Sequence, residues 1–190
     1  MEYTTLNNGL QMPLEGFGVF QVRDKEECKR SVLEAIKAGY RLIDTAAAYT
    51  NEDAVGEAVK EAIREGICTR EELFITSKML VQDMKDYDSA KKAIDASLEK
   101  SGLEYLDLYL LHQAMGDYFS AYRAMEDAYK EGKLKANDVN VVNVTGAGDS
   151  FVSGITKGYM EGYSLIDTLK YAISMSSITI STEETIHPDM

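Results

Sequence analysis

The sequence predicts an α/β protein: a parallel sheet with helices packed outside it. Three observations point there. Short β-rich runs alternate with segments of helical period over most of the 190 residues. Helix-opening and helix-stopping residues fall at the segment ends. One strand, Leu106–Leu111, is apolar almost throughout, as expected for a strand covered on both faces. Strands separated by helices of this length imply right-handed parallel crossovers.

The elements follow in order. Thr4–Leu6 and Leu10–Met12 flank Asn7-Asn8-Gly9. Asn-Gly supplies the positive φ angles of a two-residue hairpin turn. Gly16–Phe20 reads as a short buried strand. Asp24, with Glu27 at the capping-box distance, opens a helix to about Ala38, and Gly39 ends it. Arg41–Asp44 is the next strand, and 51–65 the next helix, closed by Gly66. Thr69 resembles another N-cap, with Glu72 three residues on, and Leu73–Lys78 is a strand. Residues 86–101 form a helix with Ala90, Ile94 and Leu98 on one face, stopped by Gly102. After Leu106–Leu111, residues 117–131 form a helix stopped by Gly132. Val139–Val144 is β-rich, and a helix is expected over 149–161, broken by Gly162, with a final one from Leu165.

Composition narrows the function classes. The chain is 45% hydrophobic and 27% charged, with 32 acids against 20 Lys plus Arg and a net charge of −12. A duplex nucleic-acid binder needs a basic footprint, and a polybasic membrane anchor needs a basic cluster; neither is expected here. Residues 1–136 hold 18 Lys plus Arg and 25 acids, whereas 137–190 hold two Lys and seven acids. A chain of this size buries roughly 70% of its unfolded surface, so neither disulfides nor a structural metal is required. Cys28 and Cys68 lack metal-ligand spacing and read as reduced thiols. MEYTTLNNGL has no secretion-signal pattern, and no apolar run approaches the ~20 residues that span a bilayer. A cytoplasmic location is the expectation.

Four polar residues fall at, or just beyond, the carboxyl ends of predicted parallel strands: Asp44, Tyr49, Lys78 and His112. Loops converge on one crevice at that edge of a parallel sheet. A tyrosine hydroxyl, with an unperturbed pKa near ~10, is a poor proton donor at neutral pH. A neighbouring ammonium favours the phenolate, a carboxylate can hold that ammonium, and an imidazole can donate to a carbonyl oxygen. Together such groups polarise a carbonyl and deliver a proton as hydride reaches its carbon. Position alone leaves a plainer alternative open: Asp44 pairs with Lys78, Tyr49 packs, and His112 is a satisfied strand-end histidine.

LIDTAAAYTNEDAVGEAV, FITSKM, DLYLLHQ and AYRAMEDAYKEGKLKA carry a resemblance to the aldo-keto reductases, continuous over about residues 4–136 and including the NNGLQMP hairpin that closes the barrel bottom in that family. The resemblance implies half of a (β/α)8 barrel. It also implies NADPH-dependent carbonyl reduction, with Tyr49 as proton donor, Lys78 and Asp44 tuning it, and His112 orienting the substrate. The family commonly has Trp after the Ser-Lys pair and Pro after His-Gln; Met79 and Ala114 stand here, which would loosen substrate packing. Beyond KLKA the family continues roughly as IGVSN, whose Ser-Asn pair holds the nicotinamide carboxamide. This chain reads Asn137-Asp138-Val139-Asn140-Val141 instead. A whole barrel averages about 250 residues; four units and then a departure are found here.

VVNVTGAGDSFVSGITKGYMEG is a strand, a glycine turn and a helix start. Backbone N–H groups at such a turn form an anion nest, and an aspartate there caps the helix or acts as a base. The string resembles the C-terminal segment of the ribokinase (PfkB) sugar kinases, and STEETIHP that of pseudouridine kinases, over about 139–190. It implies Gly146, Ala147 and Gly148 as the anion nest and Asp149 as the inherited base. Two family patterns meeting near Lys135–Val139 imply a chimera, engineered or accidental. Residues 1–136 are then a reductase-like half barrel and 137–190 a kinase-like segment, packed as one domain, with Val139–Val144 taking the fifth strand's place in an open sheet. Three functional readings follow: a chimera without a complete active site or cofactor; a reductase using NADPH with residual activity; and a phosphate- or nucleotide-binding module. No metal is expected. An open sheet edge and apolar inner face make a homodimer the expected partner state.

Overall fold

In the computed structural model, which describes residues 2–6, 8–136, 157, 160–162 and 164, the chain divides into two compact units, Met1–Asn137 and Asp138–Met190. The first opens with β1 (Tyr3–Thr5) and β2 (Gln11–Pro13), an antiparallel pair. There follow β3 (Gly16–Gly18), α1 (Lys25–Lys37), β4 (Leu42–Asp44), α2 (Glu52–Arg64), β5 (Phe74–Met79), α3 (Tyr87–Ser101), β6 (Leu106–Leu111), α4 (Tyr118–Lys130) and β7 (Leu134–Ala136). β3 to β7 form one parallel sheet in sequential order. The expected α/β architecture forms in the first unit: a parallel sheet with four helices among the described residues. In the second unit, Lys157 and Met160 are helical and Gly162 takes φ +72°.

Helix ends follow the local chemistry. Asp24, Asp86 and Asp117 each accept from the backbone N–H three residues on, at 2.8, 2.7 and 3.1 Å. This satisfies donors that a helix leaves orphaned. Hydrogen bonds from Ser89 and Ser120 hold the Asp86 and Asp117 carboxyls below the ordinary 3.8. A depressed folded-state pKa means stabilisation that is present above the unfolded value and lost as pH falls through the folded one. Acid titration followed by far-UV circular dichroism should therefore show helix loss below the ordinary carboxylate range. Asp86→Asn, which still caps but does not titrate, should move that loss to lower pH.

Two local expectations are corrected, and a third lies outside the described residues. The hairpin connection is longer than two residues: Leu6 N–H donates to the Leu10 carbonyl at 2.8 Å, and Gly9 supplies φ +86°. Thr69 caps no helix; its N–H donates to Glu72 at 2.7 Å in a turn that feeds β5. The strand beside β6 begins at Leu134, pairing Leu106 with Leu134, whereas Val139–Val144 lies outside the described residues.

The helix-side core joins Ile43, Ile75, Met79 and Tyr109 of the sheet to Val32, Ile36, Val59, Ala90 and Ile94 of the helices. Cys28 and Cys68 are free and buried in it. Burial pushes the Cys28 thiol up to about 11, so it carries little thiolate at neutral pH. β6 is not covered on both faces throughout, because Leu110 is 39% exposed. At the amino-terminal edge of the sheet, buried Asp107 accepts from Arg70 and from the Ile75 N–H, each at 2.8 Å. Burial raises its carboxyl pKa, opposed by the Arg70 charge.

Candidate active site

Strand register decides which side chains share a face. Asp44 lies opposite Thr76, and Thr76 opposite Leu108. Side chains alternate along a strand, so Asp44, Thr76 and Lys78 project from the same face. That face is opposite the one Ile43, Ile75 and Met79 present to the helices. Beyond β4 the chain makes a short 3-10 turn, Ala47–Tyr49, followed by Thr50 at φ +59°. The turn brings Tyr49 back over the end of β5.

Lys78 is the hub. Its Nζ donates to Asp44 Oδ1 and Oδ2, both at 2.7 Å, to the Thr45 carbonyl at 2.8 Å, and to the Tyr49 hydroxyl at 3.3 Å. It also stands 4.8 Å from the Tyr49 ring centroid. The Thr76 hydroxyl donates to Asp44 as well. With 14% of its side chain exposed, Lys78 is partly withdrawn from water, which strengthens these contacts. His112 follows β6 and anchors its own N–H on the Met79 carbonyl at 3.2 Å. Its ring meets Tyr49 edge-on, centroids 5.7 Å apart at 78°. Asp44, Tyr49, Lys78 and His112 thus gather at one point. A cavity of about 330 Å³ opens beside them, lined by Ala48, Leu80, Val81, Gln82, His112 and Gln113.

The structure adds groups that the motif reading passed over. Phe20, 65% exposed, places its ring 5.0 Å from that of Tyr49. Thr45 contributes a backbone carbonyl, which no side-chain pattern reveals. Thr76 stands two residues before Lys78 in β5, and this period-2 spacing was its one sequence signal. Met79, expected beside the substrate, is instead fully buried in the helix-side core; Leu80 lines the cavity. Gly146, Ala147, Gly148 and Asp149 lie outside the described residues. Among the described residues no cluster of His, Cys, Asp and Glu could hold a metal ion. Nor, among them, is any helix long and apolar enough to cross a membrane.

Two family models match the chain: the aldo/keto reductase family over residues 16–144, and the pfkB family carbohydrate kinases over 122–190. Matches to both families therefore fall in one chain, overlapping at 122–144. The chain is 50% identical over 137 residues to the uncharacterized oxidoreductase YtbE of Bacillus subtilis, covering 72% of this chain and 49% of that protein. It is 48% identical over 136 residues to a glyoxal reductase of the same organism, covering 71% and 48%. It spans about half the length of these curated relatives. A crystal structure of Bombyx mori aldo-keto reductase AKR2E4 in complex with NADP superposes with a TM-score of 0.67 at 36% identity, covering 71% of this chain and 48% of that one. The fold is thus that of a partial (β/α) barrel, and through residues 16–144 of its 190 the chain belongs to the aldo/keto reductase family.

Proposed function

We propose that the chain is a chimera of two enzyme fragments, whose first unit keeps the carbonyl-polarising and proton-donating half of a reductase but not a complete site for its dinucleotide. The two family matches in one chain support the chimera, and one observation carries the reductase half: Lys78 bridges Asp44 and Tyr49 while the His112 ring stands against the same phenol. A carbonyl oxygen between the Tyr49 hydroxyl and the imidazole would receive two donors. The ammonium behind the phenol stabilises the charge left when the proton departs.

NADPH, where bound, supplies the hydride in this chemistry. The described residues fit only the carbonyl end of such a complex. Lys78, the ammonium beside Tyr49, is engaged by Asp44 and the Thr45 carbonyl and offers no free charge to a phosphate. β7 runs into Asn137-Asp138-Val139 rather than a Ser-Asn pair. The expected result is weak binding: a fluorescence titration of NADPH should not saturate at concentrations on the order of micromolar. Aldehyde-dependent NADPH oxidation should be slow. Tight, saturable binding of the dinucleotide would overturn the reading and mark the chain as a working reductase.

A further inference from the structure

Asn51 immediately precedes α2, where an asparagine side chain ordinarily accepts from a backbone N–H two or three residues on. Its side chain makes no such bond. The residue is 1% exposed, and its amide is committed elsewhere. Nδ2 donates to the carbonyls of Val19 and Val22, both at 3.0 Å. Oδ1 accepts from the Thr45 hydroxyl at 2.7 Å. Both amide hydrogens and the amide oxygen are used, so the side chain has one orientation that satisfies it.

The partners decide what this accomplishes. Val19 and Val22 bracket a tight turn, closed by the Val22 N–H on the Val19 carbonyl at 3.2 Å, in which Gln21 takes φ +65°. A non-glycine residue in the left-handed region needs outside support to stay there. The turn carries Phe20, which is open to solvent on one side and faces the Tyr49 ring on the other. Thr45 fixes its N–H on the Thr76 carbonyl at 3.0 Å and offers its own carbonyl to Lys78 Nζ at 2.8 Å.

We infer that Asn51 is a positioning residue for the carbonyl site: one buried amide holds the Val19–Val22 turn, and with it the Phe20 ring, while fixing Thr45, whose carbonyl aims the Lys78 ammonium at Tyr49. Asn51 touches no reacting group and acts through Phe20, Thr45 and Lys78. Its consequence for turnover rests on the carbonyl-reduction reading; the geometry it enforces does not.

The chain contains no tryptophan, so Phe20→Trp introduces a single indole on the turn. Iodide quenching of that indole should be compared in the Phe20→Trp protein, in Phe20→Trp/Asn51→Asp and in Phe20→Trp/Thr45→Val. Asn51→Asp keeps the size and the acceptor for Thr45 but sets carboxylate oxygen against two carbonyls. Thr45→Val keeps the shape and removes only the hydroxyl. With far-UV dichroism and cooperative unfolding retained, the quenching constant should rise about 3-fold in the first and less in the second, as the turn opens locally. Aldehyde reduction, measured in parallel at equal NADPH concentration, should fall in limiting rate without a rise in the KM for aldehyde. An indole indifferent to both substitutions overturns the inference. If Asn51→Asp does not fold, Thr45→Val decides: an unchanged indole refutes the role. Absence of aldehyde reduction in the unmodified chain refutes the reductase reading alone, and the quenching measurement still judges the positioning.

Discussion

Replacing Tyr49 by phenylalanine should lower whatever carbonyl reduction this chain supports by roughly 100-fold to 10,000-fold, the range expected when a positioned proton donor is removed. The fold should be untouched. The hydroxyl receives a 3.3 Å hydrogen bond from Lys78, while the ring keeps its contacts with Phe20 and His112. Lys78 loses least, because both Asp44 oxygens and the Thr45 carbonyl still hold it. The comparison is made by steady-state NADPH oxidation with a simple aldehyde at equal cofactor concentration, alongside thermal unfolding of both proteins. Equal rates would show that the oxidation does not pass through this hydroxyl. A large fall in melting temperature would show that the phenol is structural.

Gly56→Ala should destabilise the protein by about 3 kcal/mol, near the upper end of ordinary overpacking effects. For a chain of this size that corresponds to a fall in Tm of roughly 6–12 °C. A mid-helix glycine is itself unfavourable, by about 1 kcal/mol against alanine, so propensity alone would favour the substitution. Packing reverses the sign. Gly56 sits in α2 where the end of α3 approaches, and an added Cβ would overlap the backbone carbonyl of Ser101. A carbonyl cannot rotate aside as a side chain can, and Gly102 with φ +60° follows directly as the helix stop. The two helices must separate for the methyl group to enter. Thermal unfolding by circular dichroism measures this, and an unchanged midpoint would show that α2 and α3 have slack between them.

What the sequence made legible was mostly local. Asp24, Asp86 and Asp117 announce helix starts because their bonds reach only three residues ahead, and Gly39, Gly102 and Gly132 announce stops because they take positive φ. Thr69 and Glu72 show the limit of such patterns: the same spacing carries a bond in the reverse sense, from the Thr69 N–H to the Glu72 carboxylate, and a strand follows it. The gathering of Asp44, Tyr49, Lys78 and His112 was legible because all four fall at one edge of a parallel sheet, and family resemblance gave them roles. Asn51 was not. It resembled an ordinary helix start, and its true partners, Val19 and Val22, are backbone carbonyls about thirty residues upstream that no spacing rule connects to it. Likewise Arg70 and Asp107 pair across 37 positions of chain. Met79 falls in the core and not beside the cavity because a one-residue step along the chain, to Leu80, exchanges core for cavity.

The sequential strand order carries a consequence for biosynthesis. Because β3 to β7 are laid down in the order in which they emerge from the ribosome, each new strand finds its neighbour already waiting. The opening hairpin is the exception: the Asn8 side-chain amide donates to the Lys135 carbonyl at 3.0 Å, a partner translated 127 residues later. Vectorial growth therefore leaves this hairpin, made before the sheet it joins, among the last pieces to find all its contacts.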